Sequence, residues 1–120
     1  MKYMLLIYHD EQLWDGYSEA ERNKVYGEYR DLMQELAASK QILAGDELQP
    51  AATASTVRVR DEKALVTDGP FAETREQLGG FFLIEAKDLD EAKAIAARIP
   101  SARTGSIEVR PVAEQAAAVA

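Results

Sequence analysis

Two residues of this chain have side chains suited to acid–base chemistry. His9 is the only histidine in the sequence, and histidine is the side chain that most readily takes up and releases a proton near neutral pH. Asp68 opens the segment Asp68-Gly69-Pro70-Phe71, where a carboxylate is suited to act as a general base or as an acceptor for a ligand. We therefore take His9 and Asp68 as the candidate catalytic residues.

Both candidates also have a purely structural interpretation. An Asp that begins a Gly-Pro turn commonly accepts hydrogen bonds from the backbone N–H groups that follow it, and a lone His at the end of a strand is often an ordinary polar residue. The run His9-Asp10-Glu11 is a poor metal motif, because adjacent strand side chains diverge and zinc sites need three or more suitably placed protein ligands. We expect neither a bound metal nor a cofactor.

Three further residues are candidates for contacts with a ligand. Trp14 follows His9 closely and could line a pocket for an aromatic group, or cover the end of the first helix. Gly69 permits a close approach of the backbone or an unusual dihedral angle. Arg75 belongs to a charged segment after the turn, which is typical of the rim of a ligand site or of a solvated connection.

Composition limits the class of protein to which the chain can belong. The 120 residues suffice for one modest core, and 47% hydrophobic with 29% charged residues is typical of a soluble globular protein. The net charge of −7 predicts no general affinity for nucleic acid, and no apolar run approaches the roughly 20 residues that cross a membrane. The absence of cysteine excludes disulfides and thiolate ligands and fits a cytoplasmic location.

The spacing of apolar residues predicts two helices. Ser18 and Glu21 form a capping-box motif that begins the first helix, which we expect to end near Ser39. The apolar stripe on one face of this helix consists of Val25, Tyr29, Leu32, Met33 and Leu36. Asp88 and Glu91 have the same spacing at the start of the second, and the buried side of that helix includes Leu89. The segment 9–17 is predicted to be a loop.

Strands are predicted over 2–8, 41–50, 55–60, 64–67, 79–86 and 106–112. The pair 55–60 and 64–67 forms a hairpin, and the alternation of Val57 and Val59 with Arg58 and Arg60 predicts that its first strand is half-exposed. Gly79-Gly80 is expected to let a neighbouring backbone pass closely. This order of elements predicts an α+β protein with a ferredoxin-like βαββαβ fold and a β-hairpin insertion. We expect one domain over 1–113 and a flexible tail over 114–120.

Two predicted strands carry unbroken apolar runs, MLLI and FFLI. Consecutive strand residues point to opposite faces of a sheet, so both faces of these strands must be shielded from water. The two helices cover one face. We expect a second copy of the chain to cover the other, which predicts a homodimer with a cavity enclosed between two sheets.

The segment 65–100, LVTDGPFAETREQLGGFFLIEAKDLDEAKAIAARIP, resembles the YCII-related family, and in particular the branch named for its Asp-Gly-Pro-Phe motif. MKYMLLIY at the start and SIEVRPV near the end are also similar to that branch. The resemblance implies a dimeric α/β barrel. Members of the wider family include a dehydrochlorinase-type enzyme acting on a chlorinated hydroxyquinol and proteins proposed to use a His–Asp pair. Related enzymes are expected to carry a His on the first helix, and this helix has none.

Two functions of different classes follow. The first is a dimeric small-molecule-binding protein or enzyme whose polar groups in the barrel cavity are His9 and Asp68. The second is a non-catalytic regulatory or interaction protein, because genes of this branch often lie beside those for extracytoplasmic-function sigma factors. An acidic surface and a flexible tail are the sequence features that favour the second hypothesis.

Overall fold

The computed structural model describes residues 1–114 of the chain. Within this range the strands are β1 (Lys2–His9), β2 (Ile42–Glu47), β3 (Ser55–Arg60), β4 (Lys63–Asp68), β5 (Gln77–Glu85) and β6 (Ser106–Pro111). The α-helices are α1 (Glu11–Asp15), α2 (Glu19–Ala38) and α3 (Leu89–Ala97). The predicted tail lies outside the described residues from position 115 onward. No helix within residues 1–114 is both long and apolar enough to cross a membrane.

Four strands form one antiparallel sheet in the order β2-β5-β1-β6, and β3 pairs with β4 in a separate hairpin. The predicted α+β class is therefore confirmed, and the antiparallel order agrees with a ferredoxin-like arrangement. The inserted hairpin is confirmed as well. Its turn residues Asp61 and Glu62 both have positive φ, as the tight turns that suit hairpin twist require.

The hydrophobic core lies on the face of the sheet that α2 and α3 cover. Alternate residues of β1 and β5 point into it, and the predicted helical stripe of α2 packs against them. The most deeply buried side chains are Tyr3, Leu5, Leu36, Ile84 and Ile99. The buried residues of α2, Leu32 and Leu36, both belong to its second half.

The helix starts follow the capping prediction with two differences. Ser18 and Glu21 form the reciprocal capping box, with hydrogen bonds of 3.0 and 3.1 Å. Asp88 caps α3 by accepting from the Glu91 N–H at 2.8 Å, but the Glu91 carboxylate accepts from the N–H of the preceding Lys87. Leu89 is 40% exposed, so the prediction that it is buried is wrong: the first residue of α3 projects beyond the edge of the core.

The prediction of a loop over 9–17 is also wrong in part, because α1 lies within it. Asp10 caps this helix by accepting a hydrogen bond from the Gln12 N–H at 2.9 Å. A helix of five residues is too short to produce a recognisable apolar periodicity, and its cap is the one local signal. The short helix carries Trp14 to the edge of α2.

The second face of the sheet carries apolar side chains that no helix within residues 1–114 covers. Met4 lies opposite Leu83, and Leu6 opposite Phe81, in the register of β1 with β5. All four are partly exposed, whereas their neighbours on the other face are buried. The single chain thus buries one face of these strands, and the second face is only half-shielded.

Candidate functional site

A cavity of about 290 Å³ lies between the middle of α2 and the end of the sheet where β1 and β2 finish and β5 begins. Ile7 and Phe82 line it, and both belong to the core. The cavity is therefore on the helix-covered face. The cavity predicted from the sequence lies on the opposite face, between the sheets of two copies, and it stays a prediction.

His9 forms part of the wall of this cavity, and Gly79 leaves room for its ring. The register of β1 with β5 shifts between Ile7 and Tyr8, the kind of irregularity that redirects a side chain. A Cβ atom at position 79 would lie 2.4 Å from Nε2 of His9, closer than non-bonded atoms approach. A side chain at position 79 and the imidazole in its present place are thus incompatible.

Trp14 closes one side of the cavity and is held there by α2. Its ring meets the ring of Tyr26 edge to face, with centroids 5.5 Å apart. The guanidinium group of Arg22 donates to the carbonyl oxygens of Trp14 and Asp15 at 3.2 and 2.9 Å. These contacts connect the end of α1 to α2 and hold the indole of Trp14 at the cavity wall.

Hydroxyl groups and one carboxylate supply the polar part of the wall. The hydroxyls of Tyr29 and Ser101 are hydrogen-bonded at 2.6 Å, and burial raises the pKa of Tyr29 above its ordinary value of 10.0. The hydroxyl of Tyr26 donates to Oε1 of Glu47 at 3.2 Å. Burial, and then the charge of Glu47, raise the pKa of Tyr26. Both phenols are therefore neutral at physiological pH.

A smaller recess of about 140 Å³ adjoins the cavity. His9 and Trp14 line both spaces. Arg103 lines the recess, and its guanidinium group makes two hydrogen bonds to the Glu28 carboxylate, at 2.7 and 2.9 Å. This pairing lowers the pKa of Glu28 and neutralises the positive charge nearest to the recess.

The family model of the YCII-related domain matches residues 1–116 of the chain. The chain belongs to the YCII-related family. An uncharacterised protein of Rhizobium meliloti (strain 1021) is 37% identical to it over 115 residues, which cover 94% of this chain and 93% of the relative. The resemblance to the family is confirmed, and membership of the Asp-Gly-Pro-Phe branch stays a prediction.

The structure of this YCII-related protein brings two of the five predicted site residues together. His9 and Trp14 line the cavity, whereas Asp68, Gly69 and Arg75 lie outside its lining. Asp68 is the exposed last residue of β4, and its carboxylate takes part in none of the hydrogen bonds found within residues 1–114. Within one chain, His9 therefore lines the cavity together with aromatic residues, and Asp68 does not.

The other two predicted site residues have structural partners in this YCII-related chain. Gly69 has a φ of 92°, a conformation that favours glycine, and its N–H donates to the Ala54 carbonyl at 2.7 Å. Arg75 is almost fully exposed, and its Nε lies 3.6 Å from Oδ2 of Asp10. An ion pair in so exposed a position contributes little to stability.

Some residues of the cavity wall escaped the sequence-based prediction. The sequence predicts Tyr29 as part of the apolar stripe of α2, but not as a residue of a ligand site. Tyr26 lies three residues before it on the same helix, and both residues line the cavity. Glu47 is the last residue of β2 and Ser101 lies in the 3-10 turn Pro100–Arg103. Neither residue belongs to a motif, so no sequence signal pointed to them. Within residues 1–114, no group of three or more His, Asp or Glu side chains is arranged to hold a metal ion.

Proposed function

We propose that this YCII-related protein binds a small, mostly apolar organic molecule in the cavity between α2 and the sheet, with His9 as the group that exchanges a proton with the ligand. One observation carries the proposal: the only histidine of the chain lines a cavity of about 290 Å³ in a position that Gly79 keeps open. The proposal rests on His9 alone, because Asp68 does not line the cavity of the single chain.

The dimensions and lining of the cavity favour a ligand with one substituted ring. An apolar cavity of about 150 Å³ accommodates benzene, so the volume here leaves room for a ring with substituents. Binding sites for small molecules are mostly apolar and aromatic with a few polar groups. Here Trp14, Val25 and Met33 supply the apolar part, and the hydroxyls of Tyr29 and Ser101 are the polar groups.

His9 is suited to exchange a proton with a ligand in this position. An imidazole at the cavity wall is a suitable acceptor for the proton of a phenolic hydroxyl, and it returns the proton without help from a metal. Hydroxylated aromatic compounds are therefore the probes to try first. A protein that only binds such compounds would use the same group as a hydrogen-bond partner.

We also propose that the working unit is a homodimer formed through the second face of the sheet. Met4, Leu6, Phe81 and Leu83 are partly exposed there, on adjacent strands and in direct register. A contiguous apolar patch of this kind is typical of an interface, and two-fold pairing of identical patches is the commonest arrangement of such faces. Sheet-to-sheet contact leaves the helix-side cavity of each copy open.

Ligand binding is tested by blocking the cavity. Val25 lines it, and Val25→Trp places a larger side chain there without altering the sheet. The neighbouring Lys24 is exposed and lies outside the lining, so Lys24→Trp is the matched control. Screening a panel of hydroxylated aromatics by ligand-observed NMR should find binders whose signal Val25→Trp abolishes and Lys24→Trp preserves. Equal signals from both variants would place the ligand elsewhere.

The role of His9 is tested separately by turnover. His9→Ala should lower the rate on any compound of the panel that is converted, while Asp68→Asn should leave the rate unchanged. If His9→Ala turns over at the wild-type rate, the residue has no part in the chemistry, although the cavity can still be a binding site.

A further inference from the structure

We infer that the cavity prefers ligands that carry a protonated amine on an apolar ring, and that Glu47 sets this preference. This inference rests on the binding function proposed above and adds the charge of the ligand. It follows from three features of the wall that residues 1–114 form: one carboxylate side chain, no Lys or Arg side chain, and two aromatic rings beside the carboxylate.

The carboxylate of Glu47 lies on the cavity side of β2. Glu47 is opposite Gly80 in the register of β2 with β5, and the two residues line the cavity together. The hydrogen bond from the Tyr26 hydroxyl to Oε1, at 3.2 Å, confirms the direction of the side chain. Among the hydrogen bonds of residues 1–114, Glu47 accepts through Oε1, which leaves Oε2 for a donor on the ligand.

Its neighbour Asp46 contributes to the wall in a different way. Asp46 lies opposite Phe81, whose side chain points to the helix-free face of the sheet, so strand alternation directs the Asp46 carboxylate away from the cavity. Its carbonyl oxygen points towards Gly80, where an added Cβ would lie 2.9 Å from it. Asp46 and Glu47 are therefore adjacent residues of equal charge whose side chains point to opposite faces of the sheet.

No Lys or Arg side chain belongs to the cavity lining formed by residues 1–114. Arg22 lies outside the lining, 5.8 Å from the centre of the Trp14 ring. It keeps its charge, and its N–H groups donate to the carbonyl oxygens of Trp14 and Asp15 and are not free for a ligand anion. Arg103 lines the adjoining recess and is paired with Glu28. An anionic ligand would meet Glu47 with no Lys or Arg side chain of the lining to offset the repulsion.

The aromatic rings beside Glu47 add to the attraction for a cation. Trp14 and Tyr26 line the cavity and lie edge to face, and the faces of such rings attract ammonium groups. Glu47 is exposed, so an ion pair with it contributes modestly to the binding free energy, and a cation–π contact contributes a similar amount. Together they correspond to about a threefold to tenfold preference for an amine over a neutral ligand of the same shape.

Three probes that differ in charge test this preference. 2-Phenylethylamine is protonated at pH 7, 2-phenylethanol is neutral and phenylacetate is anionic, and all three share a phenyl ring on a short chain. Dissociation constants measured by NMR titration at low ionic strength should rank the amine first and phenylacetate last. Because salt screens exposed charges, the advantage of the amine should shrink in 0.5 M NaCl (roughly a 4 Å screening length).

The matched variants are Glu47→Gln and Asp46→Asn. Each removes one negative charge and keeps the shape of the side chain, so the overall charge of the two variants is equal. Glu47→Gln should remove about half of the free energy of the preference, so that at most about a threefold advantage of the amine over the alcohol remains from the cation–π contact, whereas Asp46→Asn should keep most of the wild-type preference. Retention of the full preference in Glu47→Gln, or its loss in both variants alike, would overturn the assignment to Glu47.

The outcomes distinguish this inference from the proposed function. If the alcohol binds, Val25→Trp abolishes its binding and the amine binds no better, the cavity is a ligand site without the charge preference. If none of the three probes binds and no compound of the phenolic panel does either, the proposed function fails and the charge preference fails with it.

Discussion

The imidazole of His9 occupies the space that a side chain at position 79 would fill, since a Cβ atom there would lie 2.4 Å from Nε2. The two residues are on neighbouring strands, at the place where the register of β1 with β5 shifts. The position of the only histidine of the chain therefore depends on a glycine seventy residues away. His9 and Gly79 form one unit of the candidate site.

Replacing Gly79 by Ala should move His9 and leave the fold intact. The atom that the new methyl group meets belongs to the end of a side chain, which can rotate, and not to the backbone. We expect the imidazole NMR signals to shift and the affinity for a phenolic ligand to fall by about tenfold, the loss of roughly one good hydrogen bond. Circular dichroism should be unchanged. Unaltered imidazole signals would show that the ring does not depend on Gly79.

Replacing Gly27 by Ala is the control, and it carries a prediction of its own. Gly27 lies inside α2, and a Cβ atom there would meet nothing within 4 Å. Ala is more favourable than Gly in a helix interior by about 0.8–1 kcal/mol, so the free energy of unfolding should rise by about that amount. Urea denaturation measures the change, and ligand affinity should stay at the wild-type value. A fall in stability would mean that this glycine has a contact beyond the chain.

The sequence predicted those parts of the fold that depend on local patterns. The capping box of Ser18 and Glu21 and the apolar stripe of α2 can each be recognised from nearby residues. The alternation of Val57 and Val59 with Arg58 and Arg60 correctly predicts the strand β3. The half-burial that it also predicts is wrong for the single chain, in which the two valines are 60% and 62% exposed. The short helix α1 has no recognisable sequence pattern, because five residues do not complete two turns. Its only signal is Asp10, which reads equally well as part of a loop.

The candidate site could be predicted only in part, because it depends on contacts between distant residues. His9 stood out by its chemistry and Trp14 by its size, and both line the cavity. The pairing of His9 with Gly79 depends on a shift of register, which no local pattern reveals. The homodimer and the link to a sigma factor concern other chains, and both stay predictions.

Leu6→Arg should separate the proposed dimer into single subunits. Leu6 is partly exposed on the helix-free face, so Arg is tolerated in one copy, but in a sheet-to-sheet contact it would bury an unpaired charge. Sedimentation velocity at micromolar concentration should show a dimer for the wild type and a monomer for the variant. Ala94→Arg, on the exposed side of α3, is the control and should stay dimeric. A wild-type protein that sediments as a folded monomer would contradict the dimer itself.

Tyr29 should make the protein sensitive to alkali. Burial raises the pKa of its hydroxyl above the ordinary value of 10.0, so above that pH the unfolded chain releases the proton while the folded chain retains it. The unfolded state then binds fewer protons, and the free energy of unfolding falls as the pH rises. The stabilisation from the neutral, hydrogen-bonded phenol is complete below pH 10.0 and is lost as the pH approaches the raised pKa.

Tyr29→Phe isolates this contribution, because it keeps the ring beside Phe82, with centroids 6.2 Å apart in the wild type, and removes only the hydroxyl. Urea denaturation of both proteins at several pH values gives the difference in the free energy of unfolding. Below pH 10.0 this difference should be constant and reflect the lost hydrogen bond to Ser101, about 1 kcal/mol. Above it the difference should shrink, because only the wild type has the phenol to ionise. A difference that stays constant or grows in alkali would show that Tyr29 is not buried as a neutral phenol.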